Sequence, residues 1–109
     1  MAGGPVVDLV FDPECPNIGE ARALIRAALS DAGMTADWRE WEREGADTPA
    51  PYRGLGSPTI LINGTDVTGR DDGGDGANCC RVYANEGRLR GVPPLSLVVA
   101  VLRHAQALG

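Results

Sequence analysis

The 109-residue chain contains no lysine: all ten basic side chains are arginines, scattered rather than gathered into a stripe. Against fifteen acidic residues this leaves a net charge of −5, which argues against nucleic acid as a partner, because phosphate binding needs clustered cations. No run approaches the roughly 20 apolar residues of a membrane-crossing helix, so no membrane partner is expected. The opening MAGGPVVDLVF has no basic residue ahead of its apolar stretch, unlike a secretory signal. A reducing cytoplasm is therefore the expected compartment. Histidine occurs once, as His104, and cysteine three times, as Cys15, Cys79 and Cys80. An odd number of cysteines cannot all pair within one molecule, and no C-x-x-C occurs. Both facts argue against a disulfide framework and against a tetrahedral structural zinc site.

What is present suits one compact domain, residues 1–109. The β-branched run PVVDLVF (5–11) reads as a buried strand. A helix follows Cys15 and Pro16 and runs to about Ala32. Ile18, Ala21, Ile25, Ala28, Leu29 and Ala32 form its apolar face, and Glu20, Arg22, Arg26 and Ser30 its polar one. Pro16 suits the first helical position and Gly33 the stop. MTADWREWE (34–42) alternates weakly as a second strand. Two prolines and three glycines make 43–56 a loop with at most one short helical turn. SPTILING (57–64) is the clearest strand, Asn63-Gly64 signals a type I′ turn, and TDVTG returns as its mate. A flexible Gly/Asp-rich loop is expected at about 69–78. Its Asp71, Asp72 and Asp75 do not match calcium-loop spacing. Residues 79–91 read as a short strand or turn, with a small hairpin around Glu86-Gly87 as one option. The last helix begins at Pro93-Pro94 and buries Leu95, Val98, Val99, Leu102 and Ala105. The order is β-α-β-(short or missing helix)-β-β-α, an α/β arrangement with a central mixed sheet flanked by helices.

Cys15 stands between the end of a strand and the first turn of a helix. Unpaired N–H groups and the positive end of the helix dipole favour a thiolate there, while the nearby Asp12 and Glu14 oppose it. The alternative is a cysteine that merely packs as a small hydrophobe. Two other thiol chemistries fail on spacing. A phosphatase loop needs arginine six positions after the cysteine, where Ala21 stands and Arg22 misses by one. A papain-like thiol needs an activating histidine, and His104 is expected on an exposed helix end. Arg81 reads as a surface charge, and Tyr52 and Tyr83 as partial core.

Taken together, a cysteine at the head of the first helix and a Ser-Pro-Thr strand about forty residues on resemble the thioredoxin-like superfamily. The resemblance covers roughly residues 5 to 108. FDPECPN, GSPTILINGTDV, CRVY and GVPPLSLVVAVL are similar more narrowly to a family of small bacterial thioredoxin-family proteins, some near mercury-resistance or alkylmercury lyase annotations. The resemblance implies a cis Pro58 beside the active cysteine. It also implies a substrate-binding surface formed by Pro16, Ser57, Pro58 and Thr59. The sequence departs from thioredoxin where C-x-x-C would place its second cysteine, which here is Ile18. A local disulfide is thereby lost.

Three functional readings follow. The first is a thiol-disulfide oxidoreductase needing no cofactor, with Cys15 as nucleophile, Cys79 or Cys80 as a distal resolver, and protein or small-molecule thiols and disulfides as partners. The second is a soft-metal binder or organomercurial-processing protein. In it Cys15, Cys79 and Cys80 converge on Hg(II) or Cu(I), and Asp12 supplies a proton. The third is an adaptor without chemistry.

Overall fold

The structure, a computed structural model, describes residues 5–69, 83–85 and 87–108. It is an α/β arrangement of a four-stranded mixed sheet, a separate two-stranded sheet and two α-helices. Strand β1 (Val7–Phe11) runs through the middle of the larger sheet. Helix α1 (Ile18–Asp31) returns the chain so that β2 (Arg39–Glu42) lies parallel to β1, Asp8 opposite Arg39 and Phe11 opposite Glu42. Strand β3 (Thr59–Ile62) pairs antiparallel on the other side of β1, and β4 (Thr65–Asp66) pairs antiparallel with β3. The sheet order is β2-β1-β3-β4. β5 (Tyr83–Asn85) and β6 (Arg88–Arg90) form the second sheet, and α2 (Leu95–Leu108) closes the chain.

The period-2 pattern of β1 and β3 gives the larger sheet two buried faces. Val7, Leu9, Ile60 and Ile62 meet Ala21, Ile25, Ala28 and Leu29 of α1 and Val98 and Leu102 of α2, so both helices cover one face. Asp8, Val10, Thr59 and Leu61 are buried on the opposite face. Segment 43–56 crosses this side, with its single helical turn at Ala50–Tyr52. No α-helix forms in that segment, as its prolines and glycines require.

Several boundaries differ from the sequence reading. α1 begins at Ile18, with Asn17 as its N-cap, so Pro16 is an exposed turn residue rather than the first helical one. The helix ends where expected. Gly33 adopts φ +74°, its N–H donates to the Ser30 carbonyl, and Met34 N–H donates to the Leu29 carbonyl. These two bonds satisfy carbonyls that the helix leaves open. β2 starts at Arg39 instead of Met34, because only Arg39–Glu42 find partners on β1. The strand read over 57–64 is regular over Thr59–Ile62. The type I′ turn is present, with φ 54° at Asn63 and 84° at Gly64, and β5 and β6 pair antiparallel as a short hairpin with Gly87 at φ 78°; Glu86 lies outside the described residues. Pro93 and Pro94 precede α2, and the Pro94 carbonyl accepts its first hydrogen bonds, from Leu97 and Val98. No helix among the described residues is long and apolar enough to cross a membrane.

Candidate functional site

β1 ends at Phe11, and six residues separate it from α1. Cys15 lies in that connection. Its N–H donates to the Asp12 carbonyl at 2.9 Å, and Glu14 N–H donates to Asp12 Oδ1 at 2.9 Å, which fold the chain into a tight turn. The turn is joined to the start of β3 because Asp12 N–H donates to Ser57 Oγ at 2.9 Å. Cys15 Sγ lies 3.9 Å from the Ser57 carbonyl oxygen, in position to donate a weak S–H···O hydrogen bond. The thiol is free and buried, but it is absent from the apolar cluster between sheet and helices. Its neighbour is a backbone carbonyl.

The peptide bond between Ser57 and Pro58 is cis, as the resemblance implied. Ser57, Pro58 and Thr59 are all buried, and Thr59 Oγ1 donates to the Gly56 carbonyl at 2.6 Å. The Pro58 carbonyl accepts a hydrogen bond from the buried Tyr83 hydroxyl. Tyr83, read from sequence as partial core, thus ties the β5–β6 hairpin to the peptide next to the one that Cys15 touches. Cys79, Cys80 and Arg81 lie outside the described residues. So do Asp71, Asp72, Asp75 and the rest of the expected Gly/Asp-rich loop beyond Gly69.

Arg43 went unnoticed in the sequence. It is buried, donates from Nε to the Leu55 carbonyl at 2.8 Å and from Nη2 to the Gly54 carbonyl at 3.1 Å, and lies 3.9 Å from Asp12 Oδ2. It thereby braces the approach to Ser57 from one side and the Cys15 turn from the other. Asp12, considered as a proton donor, is here an acceptor, with one oxygen held by Glu14 N–H and the other facing Arg43.

A second buried polar group, Asp8, lies on β1 itself. Asp8 accepts two bonds from Arg39, at 2.7 and 3.0 Å, one from Trp41 Nε1 at 2.9 Å and one from the Tyr52 hydroxyl at 3.3 Å. Burial alone would raise its carboxyl. The hydrogen bonds from Arg39 and Trp41, the Arg39 charge and the Tyr52 hydroxyl outweigh that and hold it below the usual carboxylate range. Burial and the Asp8 charge push the Tyr52 phenol up. The only sequence signal for this cluster is a lone aspartate inside an otherwise apolar strand.

His104 is exposed on α2, as expected of a solvated residue. Among the described residues, no group of three or more His, Cys, Asp or Glu is placed to hold a metal ion. An open depression lined by Phe11, Trp41, Glu42 and Asp47 runs along β2 and includes neither Cys15 nor Pro58.

The class that fold and site define is therefore an α/β protein with a free cysteine at a strand-to-helix turn, packed on a cis-proline loop. No family model, curated protein or solved structure matches the chain.

Proposed function

We propose that the protein is a thioredoxin-like thiol-disulfide oxidoreductase in which Cys15 is the nucleophile. One observation carries the reading: Cys15 Sγ sits 3.9 Å from the carbonyl of the buried Ser57, at the turn from β1 into α1. The sheet order β2-β1-β3-β4, with β1 and β2 parallel and β3 and β4 antiparallel to their neighbours, supports the same reading.

In the reaction, the Cys15 thiolate attacks one sulfur of a partner disulfide. The partner S–S bond breaks, a mixed disulfide forms, and one partner thiolate leaves and takes up a proton. The thiolate of Cys79 or Cys80 then attacks Cys15 Sγ, releasing the second partner thiol. The partner gains two electrons and the protein is left with one disulfide, which an external thiol reduces.

Mild oxidation followed by peptide mapping tests the proposal. The expected product is a linkage from Cys15 to Cys79 or Cys80, and Cys15→Ser is expected to abolish reduction of a small disulfide. A map in which Cys15 is never linked, together with full activity of Cys15→Ser, would reject it.

A further inference from the structure

Cys15 is 5% exposed in the turn between β1 and α1, so a partner disulfide reaches its sulfur only when the structure around it opens. That turn is held at both ends. On the strand side, Asp12 is bonded to Ser57 Oγ and the thiol rests on the Ser57 carbonyl. On the helix side stands Asn17, the N-cap of α1. Its backbone carbonyl accepts from Ala21 N–H at 2.9 Å, but its side chain makes no capping hydrogen bond. Asparagine is among the best side-chain caps, so its withdrawal from that role needs a cause.

The cause is Gly91. The Asn17 carboxamide lies directly on the bare Cα of Gly91, so closely that a methyl group there would overlap its Cγ, Nδ2 and Oδ1. The φ of Gly91 lies outside the left-handed region, so glycine is required there for space, not for backbone conformation. Val92 and Pro93, which follow it, are buried and lead into α2. Gly91 is thus a fixed seat and Asn17 the part that fits it.

We infer that Asn17 is a positioning residue whose seat on Gly91 keeps the Cys15 turn closed, and so sets how readily the thiol reacts. The inference rests on the reading of Cys15 as the working thiol, and it assigns that site its control of access.

The test uses the full chain carrying Cys79→Ser and Cys80→Ser, so that only Cys15 is alkylated, with iodoacetamide as the probe. Gly91→Ala is expected to accelerate alkylation about tenfold, as a modest shift in a local opening equilibrium does. Asn17→Ala is expected to accelerate it less. The double variant is expected to react more slowly than Gly91→Ala alone, because the methyl at position 91 then occupies the space Asn17 has vacated. A general loss of stability would make the double variant at least as fast as Gly91→Ala, and that result overturns the inference. Unchanged rates in both single variants also overturn it. If Gly91→Ala does not fold, Asn17→Ala decides alone: faster alkylation supports the seat, an unchanged rate rejects it. Disulfide reduction by the chain with all three cysteines separates the two proposals. No reduction alongside coupled alkylation rejects the oxidoreductase and leaves the seat. Normal reduction without coupling does the reverse.

Discussion

Asp8 shows how much one residue can organise. It is fully buried between two apolar neighbours, a position that costs several kcal/mol for an unpaired carboxylate, yet Arg39, Trp41 and Tyr52 supply four hydrogen bonds. Its carboxyl is lower in the folded chain than in the unfolded one. The stabilisation is therefore fully present above the unfolded value of about 3.9 and is lost as pH falls through the lower folded value. Asp8→Asn is expected to lose about 1–3 kcal/mol at neutral pH, and to unfold with a flatter dependence on acid. Urea unfolding followed by fluorescence of Trp38 and Trp41, at neutral pH and below pH 4, measures both. A smaller acid dependence persists from Glu40, held low by the hydrogen bond from Arg22, against the opposing effect of burial, with further help from Trp38 and the Arg22 charge. Equal acid dependence in wild type and Asp8→Asn would show that Asp8 does not carry it.

At the scale of elements, the turns decide where regular structure stops. The β3–β4 hairpin turns through Asn63 and Gly64, both at positive φ. Asparagine tolerates that region and glycine populates it freely, whereas a Cβ at Gly64 is strained. Gly64→Ala is expected to cost about 1–2 kcal/mol, seen as a fall in Tm of about 4–8 °C per kcal/mol. Asn63 adds a second tie, accepting from Val6 N–H at 2.9 Å through Oδ1, while its own N–H donates to the Val6 carbonyl at 2.8 Å. The edge strand β2 is handled differently. Arg39, Glu40 and Glu42 are exposed along it, and charges on an edge discourage pairing with another chain. Glu40 is also clasped to α1 by two bonds from Arg22, at 2.9 and 2.8 Å.

Over the whole molecule, a single apolar layer joins sheet and helices. Leu9, Ile25, Leu29, Ile60 and Leu102 are its largest fully buried side chains. Ile60 lies on β3, paired with Leu9 of β1, and faces both helices. Ile60→Ala is expected to cost about 2–5 kcal/mol, a large part of the roughly 5–15 kcal/mol that holds a small domain together. Val6 is 45% exposed, and Val6→Ala is expected to change stability by no more than about 0.5 kcal/mol. Denaturant midpoints of the two variants check the contrast. A mild effect at Ile60 would mean that the layer is not the chief support of the fold.

The alternation of Val7 and Leu9, the helical spacing from Ala21 to Leu29, the Asn63-Gly64 turn and the placing of Cys15 between strand and helix were all legible in the chain itself. Each rests on contacts between residues a few positions apart, where the repeat of a strand or helix leaves a visible pattern. The start of β2 was not legible, because pairing with β1, not local alternation, selects Arg39–Glu42. Nor were the partners of Asp8, 31 to 44 residues away, the bond from Tyr83 to Pro58, or the Asn17 side chain on Gly91. Local pattern tells which face of an element is buried. Which distant group meets a buried carboxylate, carbonyl or carboxamide depends on how the elements pack, and only the tertiary structure decided that.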